Sequence, residues 1–187
     1  MKIEELAVAV IDACTIVEVD YMITGAFAFN LYGIPRTTSD VDLVLSVKQT
    51  DAIERVVKQL SPIVLFDSQI QFDTLTWGRR RVGSARVNPP LKVELFEVFD
   101  DPFVLAQFNR RRVMFSSQLR RECSFPTPED VVVQKLRWGR NKDLDDARDV
   151  LAVQNPKNLD MEYIRRWCAE HNTTDLLQDA LASIPPQ

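Results

Sequence analysis

The sequence predicts an α/β protein whose sheet-containing core is followed by a helical segment. Through the first two-thirds of the 187 residues, short apolar strand patterns alternate with amphipathic helical patterns. After Pro126 only helical patterns recur, separated by short polar turns. We therefore expect an α/β core over residues 1–125 and a helical C-terminal subdomain over residues 126–187, packed on the core.

The front of the core shows helices and strands in alternation. Leu6, Val10 and Cys14 recur at helical spacing, which predicts a helix with one buried face. A later glycine and proline, Gly33 and Pro35, end a second, short helix. The predicted elements are helix 3–18, strand 21–24, helix 26–32, strand 41–47, helix 51–60, and strands 63–66 and 70–75 with a turn between them.

Prolines mark the later elements. Pro89 and Pro90 precede an apolar strand, and Asp101 opens a short helix. Thr127 is placed to cap the first helix of the C-terminal segment, with Pro128 at its first position. The predicted elements are strand 91–98, helix 102–108, strand 113–115, and helices 131–139, 144–153, 160–171 and 175–183.

The composition is typical of a globular protein, with 45% hydrophobic and 27% charged residues. No apolar run approaches the roughly 18 to 20 residues that a membrane span requires, so we expect no membrane association. The three cysteines are widely spaced and predict reduced thiols in the cytoplasm. The single histidine argues against a histidine-rich metal site or a Ser-His-Asp triad.

The net charge of −4 conceals a basic middle region. Between Thr74 and Lys142 there are fourteen basic and seven acidic residues. This region contains the clusters Arg79-Arg80-Arg81, Arg110-Arg111-Arg112 and Arg120-Arg121. Two interpretations stay open: the clusters bind triphosphate or RNA, or they form a solvated face paired with local acids.

Two aspartates one residue apart carry the strongest chemical signal. Asp40 and Asp42 flank Val41 at the start of an apolar strand, so their side chains point to the same face. Magnesium prefers hard oxygen ligands and usually takes one or two carboxylates, with phosphate oxygens and water completing its shell. The pair therefore predicts a metal and phosphate site, with phosphoryl or nucleotidyl transfer as the leading chemistry.

A two-metal site would benefit from a third carboxylate on a neighbouring strand. Glu94 is the candidate, because it is the acid centred in the later apolar strand K-V-E-L-F. It is suited to bind a metal or to accept a proton from an attacking hydroxyl. Glu97 falls on the opposite face, and Asp73 is a weaker rival.

A glycine precedes the aspartates at a strand-to-helix turn. Gly25 permits an unusual φ and lets backbone N–H groups approach a phosphate, which the following helix N-terminus also favours. Thr24 adds a hydroxyl donor. Taken alone, a glycine such as Gly25 more commonly marks an ordinary tight turn.

The residues T-G-A-F-A-F-N-L-Y-G-I-P-R-T-T-S-D-V-D-L-V-L resemble the nucleotidyltransferase superfamily of the DNA polymerase beta type. More closely, they are similar to its small bacterial branch related to abortive-infection toxins. The later segment P-T-P-E-D-V-V-V-Q-K-L-R-W-G-R-N-K-D-L-D-D-A-R-D-V-L resembles a helical segment of that branch. The resemblance implies a mixed β-sheet nucleotidyltransferase-like core with flanking helices.

The resemblance also implies an activity: transfer of a nucleoside monophosphate from NTP to a hydroxyl acceptor, with pyrophosphate released and Mg²⁺ or Mn²⁺ required. RNA ends, a protein or a small molecule would be acceptors. Asp40, Asp42 and Glu94 would be the catalytic, metal-binding acids. The residues implied to contact the nucleotide are Thr24, Gly25, Ala26, Arg36, Thr38, Ser39 and Lys135, with Asp143 and Asp146 behind the lysine.

Two departures from the family pattern keep an alternative open. Ala26 stands where a second glycine or a serine is usual, and Glu94 where an aspartate is usual. They favour a non-catalytic nucleotide- or partner-binding module, a regulator or antitoxin-like protein. A phosphohydrolase using Asp40 as a nucleophile is a weaker alternative, because the acids begin the strand instead of following it.

Overall fold

The computed structural model describes residues 1–46, 51–72 and 78–184, and the chain divides into two compact units. The first unit comprises Met1–Phe27 and Thr37–Phe125, and the second comprises Ala28–Arg36 and Pro126–Gln187. The second unit thus includes a short segment from the front of the chain as well as the C-terminal helices. No helix among the described residues is long and apolar enough to cross a membrane.

The first unit is built around a six-stranded sheet. Its strand order is β1-β2-β6-β5-β3, and β4 also pairs with β5. β2 and β6 are parallel, while the other pairs are antiparallel, so the sheet is mixed and the predicted α/β fold class is confirmed. The strands are β1 (Tyr21–Ile23), β2 (Asp40–Leu45), β3 (Val64–Phe66), β4 (Gln71–Phe72), β5 (Arg79–Ala85) and β6 (Lys92–Glu97).

One face of this sheet belongs to the hydrophobic core. Val41, Leu43 and Leu45 of β2 are fully buried on it, as are Val93 and Leu95 of β6. Because side chains alternate along a strand, the intervening residues of β2 and β6 lie on the opposite face. The helices of this unit are α1 (Ile3–Ile16), the start of α2 (Gly25–Tyr32), α3 (Ala52–Leu60) and α4 (Pro102–Arg110).

The opposite face is apolar at one end only. Met22 and Val44 form a buried cluster there with Phe108 of α4, and Phe96 and Val98 pack against it. The N-terminus of α4 is capped by the Asp101 side chain, which accepts a hydrogen bond from a backbone N–H. The other end of this face carries the charged residues Asp40, Asp42, Lys92 and Glu94 of β2 and β6.

The strands β3 and β4 fall within the ranges that the sequence predicts for them. Strands were expected at 63–66 and 70–75 with a turn between them. In the structure both β3 and β4 run antiparallel to β5. Residues 73–75 of the second prediction, like Val47 of the predicted strand 41–47, lie outside the described residues.

Two strands that contain charged residues were not predicted. One is β5, and the other is β8 (Arg121–Phe125), which forms a hairpin with β7 (Arg112–Ser116). Their charged residues interrupt the apolar alternation that marks a half-buried strand. Their strand conformation depends on pairing: β5 pairs with β3, β4 and β6, and β8 pairs with β7.

The second unit is helical, and its helix α5 begins where the Thr127 cap predicts. Thr127 accepts a hydrogen bond from the Asp130 N–H, and the fully buried Asp130 carboxylate accepts one from the Tyr163 hydroxyl at 2.6 Å. These bonds satisfy groups that would otherwise be buried without partners. The helices are the end of α2, α5 (Pro128–Trp138), α6 (Asn141–Gln154), a 3₁₀ turn (Pro156–Asn158), α7 (Met161–Glu170) and α8 (Thr174–Ala182).

Candidate active site

The aspartate pair lies at the start of β2, on the face opposite the core. Asp40 and Asp42 are half-buried, while Val41 between them is fully buried. The Ser39 hydroxyl is 3.3 Å from Oδ1 of Asp40. Thr38 Oγ1 accepts a hydrogen bond from the Asp40 N–H at 3.0 Å. Two of the predicted contact residues thus bind Asp40 and orient the strand start.

Gly25 lies directly against the second aspartate. Its φ is +61°, and a β-carbon built on it would lie 1.9 Å from Oδ2 of Asp42. The backbone N–H of Thr24 also donates to the Asp42 carbonyl at 2.9 Å. The glycine is therefore required here for two reasons: its backbone angle, and the space that the Asp42 carboxylate occupies. Thr24 and the following Ala26 are both buried.

The third predicted acid is brought onto the same face of the sheet. β2 and β6 pair in parallel with Asp42 opposite Glu94 and Asp40 opposite Lys92. Residues opposite each other on paired strands point to the same face. Asp40, Asp42 and Glu94 therefore share one face, together with the lysine.

Glu94 is buried, with 8% of its surface exposed, and both of its carboxylate oxygens are paired. The Lys92 ammonium forms a salt bridge with Oε1. Arg80 Nη1 of β5 donates to Oε2 at 3.2 Å. A carboxylate with a cation on each oxygen is electrostatically satisfied without a metal ion.

The residues present fit a divalent cation only in part. Asp40 and Asp42 supply hard oxygen donors side by side, which suits Mg²⁺ or Mn²⁺. Among the described residues, however, no group of three acidic, histidine or cysteine side chains is arranged to hold a metal ion. The rival acid Asp73 lies outside those residues.

Two further predicted residues belong to the second unit. Arg36 donates from Nε and Nη2 to the two oxygens of Asp146, at 3.2 and 3.0 Å. Lys135 is buried, with 4% exposure, and its ammonium donates to Asp143 at 3.1 Å and Asp146 at 2.6 Å. Two of the three lysine donors are therefore bound to carboxylates, and its role as a phosphate ligand stays a prediction.

The Asp146 carboxyl has a perturbed pKa. Burial pushes this pKa upwards, but hydrogen bonds and charges from Arg36 and Lys135 outweigh burial and hold it below its ordinary value of 3.8. The carboxylate is thus charged because its partners are in place. This arrangement is a buried ion network in its own right.

Several residues of the arginine clusters pair with local acids. Arg79 binds Glu97 at 2.7 Å, Arg81 lies 3.6 Å from Glu54, and Arg121 binds Asp12 at 2.6 Å. Of the two interpretations of the basic region, these contacts support the face paired with local acids. Sequence reasoning missed the role of Lys92, although the spacing K-V-E in a strand places a lysine on the same face as Glu94.

The fold is that of nucleotidyltransferases. The antibiotic-resistance factor ANT(2'')-Ia is 11% identical, with 94% of each chain covered and a TM-score of 0.62. It has also been solved in complex with adenylyl-2''-tobramycin. An antigenic nucleotidyltransferase-like protein from Paracoccidioides brasiliensis is 21% identical, with 100% of this chain and 96% of that chain covered and a TM-score of 0.56.

JHP933 from Helicobacter pylori is 18% identical, with 96% of this chain and 77% of that chain covered and a TM-score of 0.54. No protein-family model and no curated protein matches the chain. At these identities the likeness establishes the fold. The predicted nucleotidyltransferase-like fold is thereby confirmed.

Proposed function

We propose that this chain is a metal-dependent nucleotidyltransferase that moves a nucleoside monophosphate from an NTP to a hydroxyl group of an acceptor. The acceptor is an RNA end, a protein or a small molecule. The observation that carries the proposal is the aspartate pair, Asp40 and Asp42, held half-buried on one sheet face with Gly25 packed against Asp42. The nucleotidyltransferase fold supports it.

In this reaction the acceptor oxygen forms a bond to the α-phosphorus of the NTP. The bond from that phosphorus to the oxygen bridging to the β-phosphorus breaks, so pyrophosphate leaves with that oxygen, and the hydroxyl proton passes to water. A divalent cation, when bound, neutralises charge that develops on the phosphate oxygens. Asp40 and Asp42 are the residues that would hold it.

The neighbouring residues have positioning roles in this proposal. Ser39 and Thr38 orient Asp40 through the hydrogen bonds described above. Gly25 leaves room for the Asp42 carboxylate. The backbone N–H groups of Gly25 and Ala26, at the start of α2, are the donors offered to the triphosphate.

One observation favours a second candidate, a nucleotide- or partner-binding module without catalysis. Both oxygens of Glu94 are paired with side-chain cations, so the third acid is satisfied without a metal. Such a module would bind nucleotide without turnover. Steady pyrophosphate release that requires Asp40 would exclude it.

The decisive experiment incubates the protein with each α-labelled NTP, Mg²⁺ or Mn²⁺, and RNA, protein and small-molecule acceptors. We expect Asp40→Asn and Asp42→Asn to lower transfer by about 100-fold or more, since a catalytic metal contributes several kcal/mol to the barrier. Asp100→Asn is the matched control, because Asp100 is exposed in the same unit. Transfer by both aspartate variants at the rate of this control would refute the assignment.

A further inference from the structure

Lys92 and Arg80, the two cations that bind Glu94, have hydrogen-bond donors that the contacts with Glu94 do not use. The ammonium of Lys92 carries three donors, of which the contact with Glu94 uses one. The Lys92 side chain is 43% exposed, so it is accessible from solvent. Nε of Arg80 is buried and has no hydrogen-bond partner among the described residues. A buried guanidinium N–H without a partner is costly and marks a place where an acceptor is missing.

These donors stand next to the aspartate pair. Lys92 lies opposite Asp40, and Glu94 lies opposite Asp42, on the paired strands β2 and β6. Arg80 reaches Glu94 from β5, the strand on the other side of β6. Lys92 therefore adjoins the carboxylates that would hold a metal, and Arg80 adds a second positive charge on the far side of Glu94.

The arrangement differs from a site with three metal-binding acids. A metal ion on Glu94 would have to compete with two side-chain cations that already occupy its oxygens. Like charges this close repel strongly in a partly buried site. An anionic group, in contrast, would be attracted to Lys92 and Arg80.

We propose that Glu94 is a positioning residue and not a metal ligand: it holds Lys92 and Arg80 beside the aspartate pair, where the two cations bind a phosphate group of the nucleotide or of the pyrophosphate product. This inference rests on the proposed function, because it places the phosphates on the same sheet face. It assigns Lys92 and Arg80 as ligand-binding residues.

Manganese binding tests the role of Glu94 without any turnover. Mn²⁺ titrations followed by electron paramagnetic resonance would compare the wild type with Asp42→Asn, Glu94→Gln and Asp100→Asn. We expect Asp42→Asn to weaken binding by about tenfold or more, since it removes a charged oxygen ligand, and Glu94→Gln to leave affinity unchanged. A loss in Glu94→Gln as large as that in Asp42→Asn would overturn the inference.

Pyrophosphate binding tests the cations. Calorimetry with inorganic pyrophosphate in EDTA would compare the wild type with Lys92→Met, Arg80→Met and Glu94→Gln. We expect each substitution to weaken pyrophosphate binding by about tenfold, because each one removes about one charge-assisted hydrogen bond. Lys92→Arg keeps the positive charge and is expected to retain pyrophosphate binding. Lys58→Met is the control, because Lys58 is an exposed lysine of the same unit.

The two proposals fail separately. Lys92-dependent pyrophosphate binding in a protein that transfers no nucleotide would refute the proposed function and leave this inference standing. Active transfer, combined with pyrophosphate binding that is absent or unaffected by Lys92→Met, would refute this inference alone. Denaturant unfolding of each variant shows whether the native state is retained.

Discussion

At the scale of single residues, Gly25 and Asp42 form one unit. The space that any other side chain at position 25 would need contains the Asp42 carboxylate. Gly25 thus allows the Asp42 carboxylate to occupy its place in the site, whereas the sequence predicted that Gly25 lets backbone N–H groups approach a phosphate. Both roles follow from the missing β-carbon.

We predict that Gly25→Ala destabilises the protein by about 1 to 2 kcal/mol or more, because alanine is strained at positive φ and its methyl group collides with Asp42. The free energy of unfolding in urea measures this loss. Mn²⁺ affinity should fall as well, because the carboxylate must move. Unchanged stability and Mn²⁺ affinity would show that the backbone turn relaxes without cost.

At the scale of elements, charged residues form ion pairs between β5 and its neighbours in the first unit and a buried ion network in the helical unit. The arginines of β5 bind acids on neighbouring elements: Arg79 pairs with Glu97 of β6, and Arg81 with Glu54 of α3. In the helical unit, Lys135 of α5 lies between two carboxylates of α6. Without Lys135, the buried carboxylates would keep only partly exposed cations, Arg140 beside Asp143 and Arg36 beside Asp146.

Lys135→Met is therefore predicted to cost about 3 to 5 kcal/mol of stability, because Asp143 and Asp146 lose the cation between them. Urea unfolding measures the loss, and Lys142→Met, an exposed lysine on α6, is the control. A loss no larger than that of an exposed ion pair, about 1 kcal/mol or less, would contradict the structural role.

The same network predicts an acid dependence. The pKa of Asp146 is lower in the folded state than its ordinary value of 3.8. The unfolded chain therefore binds more protons at this group, so its contribution to stability is present above about pH 4 and is lost as the pH falls below that. Unfolding free energies measured from pH 6 to pH 3 should show this loss, and Asp146→Asn should reduce it.

At the scale of the whole molecule, the three cysteines are free and buried in both units. Burial raises the pKa of the Cys14 thiol to about 12, and it also raises the pKa of Cys123 and Cys168. Since the thiolate is the reactive form, all three are protected in the native state.

We predict that a thiol reagent at pH 8 labels the native protein slowly and the unfolded protein at all three cysteines. The folded pKa of Cys14 lies above its ordinary value of 9.0, so its contribution to stability is present below pH 9 and is lost as the pH rises towards 12. Labelling followed by absorbance, with and without denaturant, is the measurement. Rapid native labelling would contradict the buried positions.

Local features of the chain could be predicted from the sequence. The α/β class, the helix start at Thr127, and the face shared by Asp40 and Asp42 follow from spacing and capping, which act over a few residues. The strands β5 and β8 could not be predicted, because charged residues interrupt their apolar alternation. Those strands exist because other strands pair with them, and the spacing of apolar residues does not specify that pairing.

By itself, the sequence determined that two carboxylates stand side by side on one strand, behind a glycine. Only the tertiary structure decided what surrounds them. The parallel pairing of β2 with β6 places Glu94 opposite Asp42, and β5 brings Arg80 to Glu94. Alternation along a strand is a property of neighbouring residues, whereas the partner of a buried charge depends on which segments the folded chain brings together.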